Sequence, residues 1–270
     1  MPSTALIDFG PTPLAASYSG FYAKVLDDVF SPEECVQLIA HASSCPEGWQ
    51  PAGLNGLTGE VYSDFRNSER VYLVDEELSS RIYERLRPLV EEDIGLIGPK
   101  GQWNAITGKA GREQGPTWKL SCLNPRLSFL RYGPGHYFKP HCDGLNESPD
   151  GKSKSFVTIH LYLTDETSEA FFTSSAVQSK RSFGDTGNTS ESPLAESENT
   201  ETQNPSKRSL VGGATRFWTP NKKEFLDVEP KAGRVLVFQQ RMLVHSGEEV
   251  KSGMKYTMRG DLMFCELGRE

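Results

Sequence analysis

Three consecutive residues near the middle of the chain, His141-Cys142-Asp143, set an imidazole and a carboxylate where both can reach one metal ion. A second imidazole, His245, stands about a hundred residues further on, at the end of Arg241-Met242-Leu243-Val244. Two neutral imidazoles and one carboxylate on one face of an ion leave the opposite positions open. That is the ligand set a non-haem Fe(II) oxygenase needs. His-x-Asp alone is a weak signal, so its weight comes from its setting. It follows the alternating run Arg126 to Tyr132 through a Gly-rich corner, Tyr132-Gly133-Pro134-Gly135, a rim of the kind that presents side chains into the mouth of a barrel.

Ten residues after His245 comes Lys255, on what reads as the last strand. Period-two alternation puts Met254, Tyr256, Met258, Leu262 and Phe264 on one side of that strand, facing helices. Lys255, Thr257, Arg259 and Asp261 share the other side, the lumen. A lysine directed into a barrel beside a metal site can bind a carboxylate; an internal ion pair with Asp261 is the plainer alternative. The run Phe156 to Leu163 alternates in the same way, with Val157, Ile159, Leu161 and Leu163 on one face and Thr158, His160 and Tyr162 on the lumen face. His160 lies outside the motif and reads as a packing or supporting residue rather than a ligand.

These residues resemble the Fe(II)- and 2-oxoglutarate-dependent dioxygenases, and their prolyl 4-hydroxylase branch in particular. The resemblance rests on His141-x-Asp143, the distal His245 and Gly253-Met254-Lys255-Tyr256. It extends to the turn at Tyr132, the strand from Phe156 to Leu163 and Gly212-Gly213-Ala214-Thr215-Arg216-Phe217, and covers about residues 22–265. It implies an α+β chain whose strands form a double-stranded β-helix, a jelly-roll, cupin-like barrel buttressed by N-terminal helices. It implies His141, Asp143 and His245 as the Fe(II) ligands and Lys255 as the partner of the distal carboxylate of 2-oxoglutarate. Tyr132 and Tyr162 would line the cosubstrate pocket, Thr215 would assist, and Arg259 is a second candidate anchor. The implied reaction uses O2, converts 2-oxoglutarate to succinate and CO2, and hydroxylates a C–H bond, with ascorbate allowed as an accessory reductant. A prolyl residue in a protein or peptide is the implied substrate. The same chemistry on a small molecule or another side chain is one alternative. A catalytically silent metal-binding barrel is another, against which the intact ligand set and Lys255 both speak.

The supporting elements follow from local signals. Residues 1–20 are rich in Pro, Ser and Gly and read as a flexible arm ahead of a single domain over 21–270. Ser31-Pro32-Glu33-Glu34 is a capping box with proline at the first helical position. Asp75 caps a second helix carrying Leu78, Ile82, Leu86 and Leu89, which Pro88 is expected to kink or fray near its end. The Gly-rich segment 95–116, just ahead of the strands, reads as a plain surface loop or a substrate lid. Residues 165–209 hold 16 Ser or Thr and eight acidic against four basic residues. Such a stretch reads as a disordered acidic insertion.

Composition sets the outer limits. Of 270 residues, 29 are Lys or Arg and 36 are Asp or Glu, a formal charge of -7. That balance disfavours nucleic acid as a partner, since a phosphate backbone calls for concentrated positive charge. No apolar run reaches membrane-spanning length, and the first residues lack the pattern of a secretory signal. Five cysteines without CxxC spacing read as free thiols of a reducing compartment, which makes cytosol or nucleus the expected location.

Overall fold

The alternating runs of the second half pair into two antiparallel sheets in a computed structural model, which describes residues 1–53, 61–108, 115–168 and 209–268. The major sheet runs Ser3–Leu6, Ala23–Asp27, Val235–Gln239, Ser153–Tyr162, Lys255–Glu266, Arg126–Tyr132, Glu69–Val74, Gln50–Pro51. The minor sheet runs Phe225–Val228, Thr215–Trp218, His245–Gly247, Tyr137–His141, Arg66–Asn67. From Arg126 onward the chain crosses repeatedly between the two. Arg126–Tyr132 is major, Tyr137–His141 minor, Ser153–Tyr162 major, and Thr215–Trp218 with Phe225–Val228 minor. Val235–Gln239 is then major, His245–Gly247 minor and Lys255–Glu266 major. This winding of strands between two layers is a double-stranded β-helix, the fold expected from the sequence.

Helices Pro32–Ser43 and Glu76–Ile94 cover the outer face of the major sheet. Cys35, Leu38 and Ile39 from the first, and Ile82, Leu86 and Val90 from the second, join Val157, Ile159, Leu161, Met258 and Leu262 in one core. Each fully buried aliphatic side chain there contributes about 1.5–3 kcal/mol. The Ser31 hydroxyl accepts from the Glu34 amide and the Glu34 carboxylate accepts from the Ser31 amide, so the capping box forms. Asp75 caps the second helix through the Leu78 amide. Pro88 neither ends nor frays that helix, which continues to Ile94. Its ring sits on the exposed face, where water can satisfy the carbonyl it leaves unpaired, and Val90 and Ile94 are buried beyond it. None of the described helices is long and apolar enough to cross a membrane.

Two expectations need revision. Residues 1–20 are not a free arm: Ser3–Leu6 pairs with Lys24 to Asp27 at the sheet edge, and Phe9, Leu14 and Tyr18 are buried against Phe217, Phe238 and Leu243. Pro, Ser and Gly between those positions mask an apolar payload large enough to dock the segment. The second concerns the segment 95–116, whose described residues do not line the cavity between the sheets. Instead Trp103 meets Tyr22 edge-on at 5.1 Å and Ile106 enters the helix-side core. Most of the expected insertion, 169–208, lies outside the described residues. Its two flanks meet, because the Ser209 hydroxyl donates to the Glu166 carbonyl.

Phe9 is 2% exposed and packs edge-on against Tyr18 and Phe217 at 5.8 Å each. Phe9→Ala is expected to destabilise the protein by about 3–5 kcal/mol, read from the urea midpoint. A shift near zero would mean that the first twenty residues are not part of the fold.

Candidate active site

Strand register brings the two histidines together. His141 ends one minor-sheet strand, His245 opens the next, and the two are direct cross-strand partners with ring centroids 4.4 Å apart. Each ring is oriented by its own backbone. His141 Nδ1 lies 2.8 Å from the Lys139 carbonyl and His245 Nδ1 lies 3.1 Å from the Leu243 carbonyl. A carbonyl can only accept, so both Nδ1 atoms carry the proton and both Nε2 lone pairs are free for a metal. Burial, with the neighbouring His245, pushes the His141 imidazole down to about 3. Burial also lowers His245. Both rings are therefore neutral at ordinary pH, the state a ligand requires. Phe138 stacks on the His141 ring at 3.6 Å and fixes its plane.

Asp143 completes the set from the loop after His141. His141 Nε2 is 3.8 Å from its Oδ1 and His245 Nε2 is 3.9 Å from its Oδ2, and the ligand atoms all lie within 4.8 Å of one another. Donors on one face of an ion at about 2.1 Å stand about 3 Å apart, so side-chain adjustments of about an ångström close the site. The donor set fits a divalent ion that accepts nitrogen and oxygen, including Fe(II). Burial alone would raise the Asp143 carboxyl; the Arg259 guanidinium and the two imidazoles more than offset this and hold it below the usual carboxylate range. Thr158 Oγ1 donates to its Oδ2 at 2.6 Å and Arg259 Nη2 lies 3.2 Å from the same atom. Arg259 is shared with Asp261 at 2.9 Å, and Asp261 also accepts from Asn146 and Gln240 at 2.7 Å each.

Deeper in the cavity is Lys255, 2% exposed. Its ammonium lies 5.3 Å from the Tyr132 ring centroid and 5.6 Å from that of Tyr162. Its one hydrogen bond is to the Gly213 carbonyl at 2.5 Å, and among the described residues no carboxylate lies within ion-pairing distance. Gly213 must be glycine here: its φ is +76°, and a Cβ would sit 3.0 Å from the Lys255 stem. The Tyr162 hydroxyl, behind the cavity wall, donates to Thr215 Oγ1 on that wall at 2.6 Å. His160, facing the cavity, has a buried Nε2 with no partner. Burial and the Lys255 charge keep its imidazole neutral. A bare ammonium and an orphaned imidazole nitrogen, both out of water, fit a small anion with a further polar group.

The sequence-predicted residues thus divide. His141, Asp143 and His245 converge on one point, and Lys255, Tyr132 and Thr215 form a second group in the same cavity of about 410 Å³, whereas Tyr162, expected to line it, stands behind Thr215 in the apolar core. Arg259 joins the metal-side group instead, because both its carboxylate partners lie there. Asp261 pairs with Arg259 and so leaves Lys255 unneutralised. Sequence reasoning placed Thr158 on the lumen face without giving it a task, and missed Phe138, Asn146 and Gln240. Lumen-side alternation could have found Thr158; nothing in the sequence marks Gln240.

Fold and site together define a double-stranded β-helix with a two-histidine, one-carboxylate centre in its cavity. No protein-family model matches the chain, and no curated protein sequence does. Among solved structures it is similar to a prolyl-4-hydroxylase from Pseudomonas putida, at TM-score 0.49 and 16% identity, over 92% of this chain and 95% of that one. It is similar to a viral collagen prolyl hydroxylase from Paramecium Bursaria Chlorella virus-1, a 2-oxoglutarate complex, at TM-score 0.47 and 19% identity, over 90% and 96%. A prolyl hydroxylase from Trichoplax adhaerens, in complex with a hypoxia inducible factor peptide, gives TM-score 0.47 and 14% identity over 92% and 87%.

His141→Ala is expected to abolish binding of Mn(II), used as a redox-quiet stand-in for Fe(II), in titration calorimetry. Thr158→Val, which removes only the hydroxyl that orients Asp143, should weaken it by about 10–100-fold. Unchanged affinity in the histidine variant would show that the ion binds elsewhere.

Proposed function

We propose that the protein is an Fe(II)- and 2-oxoglutarate-dependent oxygenase that hydroxylates a C–H bond of an organic substrate. The observation that carries this reading is the pairing of the three-residue metal set with an unneutralised, buried Lys255 in one cavity. Bound there, iron would supply the oxidation, in which substrate, O2 and 2-oxoglutarate give hydroxylated substrate, succinate and CO2. The chain's own residues bind and orient. Lys255 holds the distal carboxylate of 2-oxoglutarate, Tyr132 and Thr215 wall its aliphatic part, and the hydrogen bond from Tyr162 behind Thr215 keeps that wall rigid. His160 offers its Nε2 lone pair or, in the other tautomer, an N–H to a polar atom of the cosubstrate. Thr158 and Arg259 occupy Oδ2 of Asp143, leaving Oδ1 for the ion.

A prolyl residue of a peptide is the substrate expected from the sequence resemblance, and the similar solved structures are prolyl hydroxylases by name. A small-molecule substrate is favoured by a different observation, the arginines that line the cavity. Either substrate would gain one oxygen atom, which mass spectrometry of the turnover products detects.

Burial lowers the Lys255 pKa to about 8. Below that pH the ammonium attracts the 2-oxoglutarate carboxylate; above it the amine is neutral and the attraction is lost. The Kd for 2-oxoglutarate should therefore stay level from about pH 6 to about 7.5 and rise by about tenfold per pH unit beyond about 8.5. Lys255→Arg should remove the inflection, and Lys255→Ala should weaken binding about 100-fold at neutral pH. Arg259→Ala should instead weaken the metal; a larger loss of 2-oxoglutarate there than in Lys255→Ala would make Arg259 the anchor.

A further inference from the structure

Three arginines on the cavity wall have no counter-charge among the described residues. Arg66, Arg70 and Arg126 all line the cavity, yet among the described residues no carboxylate lies within ion-pairing distance of any of them. The contrast with the rest of the sheets is sharp. Arg131 pairs with Glu69, Arg216 with Asp227, Arg234 with Asp27, and Arg259 with Asp143 and Asp261. Arg66 is 4% exposed and, among the described residues, donates a hydrogen bond only to the Ser68 hydroxyl, through its Nε. Arg70 has a buried Nε without any partner, and its Nη1 donates to the Tyr72 hydroxyl. Arg70 and Arg126 both lie over the Tyr72 ring, at 4.8 and 4.2 Å from its centroid. Three like charges on one wall, Arg66 buried and Arg70 and Arg126 partly so, with donors unused, are costly unless an anion joins them.

Strand register separates this group from Lys255. Lys255 pairs with Tyr132, whereas Arg126 lies six residues back along the same strand, roughly 20 Å at about 3.4 Å per residue. Arg70 pairs with Leu130, between these levels, but its guanidinium leans towards Tyr72, which pairs with Ser128. Ser128 is also the partner of Arg259, the residue that holds Asp143. Arg66 lies over Phe138 at 4.3 Å, and Phe138 is stacked on His141. The group therefore flanks the metal side, not the Lys255 side.

We propose that Arg66, Arg70 and Arg126 bind the carboxylate of the primary substrate, which is a small organic acid hydroxylated at a carbon held beside His141, Asp143 and His245. This rests on the oxygenase reading and narrows its substrate. Guanidinium forks match a carboxylate in two-point contact. Arg66 and the Nε of Arg70 lie inside the wall, so the anion must enter the cavity itself. At about 410 Å³ that cavity is of small-ligand size. Burial and the nearby Arg66 charge lower Arg70 to about 10, and an incoming anion would relieve that repulsion.

The test is calorimetry on the full chain loaded with Mn(II) and 2-oxoglutarate under nitrogen. It is titrated with a panel of aliphatic and aromatic carboxylic acids, their primary amides, matching phosphate esters and a proline-containing peptide blocked at both ends. At least one acid should bind, its amide about tenfold more weakly or worse, and Arg70→Gln and Arg126→Gln should each weaken the acid by about tenfold or more. Arg70→Lys, which keeps the charge but not the fork, should fall between. The proposal is overturned if no acid binds the wild type or if amides or phosphate esters bind as well as acids. It is also overturned if the blocked peptide binds with an affinity that the arginine variants leave unchanged. A loss of 2-oxoglutarate affinity in the arginine variants equal to that in Lys255→Ala would assign the group to the cosubstrate and overturn it too. Failure of 2-oxoglutarate to bind the Mn(II)-loaded wild type would sink the oxygenase reading separately, because acid binding can be measured without it.

Discussion

A carboxylate kept ionised away from water governs the polar interior of this barrel. The Asp143 side chain keeps only 10% of its exposure, and a lone carboxylate so far out of water would protonate and cease to be a good ligand. Arg259 prevents this, but a buried guanidinium needs more negative charge than one oxygen supplies, and Asp261 provides it. Asp261 in turn is satisfied by Asn146 and Gln240, and Gln240 by Ser155. Burial and the Asp143 charge raise the Asp261 carboxyl, so of the two acids Asp143 is the one held firmly ionised. Removing one member of such a set typically costs about 3–5 kcal/mol, because the others are left charged and dry.

Division of labour between the sheets explains why the site needs a two-layer fold. The minor sheet supplies both histidines and Thr215, and the loop after His141 supplies Asp143. The major sheet supplies Lys255, Tyr132, Tyr162, Thr158 and Arg259. Metal ligands therefore sit on one wall and anion-binding cations mainly on the other, with Arg66 as the exception on the minor sheet. The spacing of the two imidazoles is fixed by one cross-strand pair, His141 with His245, and that of the buried ammonium from its aromatic neighbour by another, Lys255 with Tyr132. Two hydrogen-bonded registers thus set the geometry, which is more rigid than loops alone could provide.

Much of this was legible in the sequence wherever period-two alternation was strong. The run Lys255 to Phe264 separates lumen from core without ambiguity, and the structure keeps that separation at Lys255, Arg259 and Asp261 against Met258, Leu262 and Phe264. Legibility failed where side chains act through partners remote in sequence. Arg259 and Lys255 look alike on a strand diagram, and only the positions of Asp143 and Asp261 tell them apart. The residues 1–20 misled for another reason: their turn-forming composition is real, but Phe9, Leu14 and Tyr18 outweigh it once a complementary apolar surface exists. The unpaired state of Arg70 and Arg126 is equally invisible, since a sequence records charges but not whether a counter-charge is in reach.

That docked N-terminal segment opposes the order of synthesis to the order of assembly. Ala23–Asp27 joins the sheet through Val235–Gln239, and the Tyr22 amide is bonded to the side chain of Gln239, 217 residues later. The Tyr18 hydroxyl accepts from the Val244 amide, next to His245. The aromatics of this segment therefore have no seat until Val235–Gln239 and Leu243 have followed them. Long-range closures of this kind are slow and leave apolar surface waiting. One of the two site imidazoles is thereby tied to a joint that spans 226 residues, so the geometry at His245 depends on the docking of a segment remote from it in sequence.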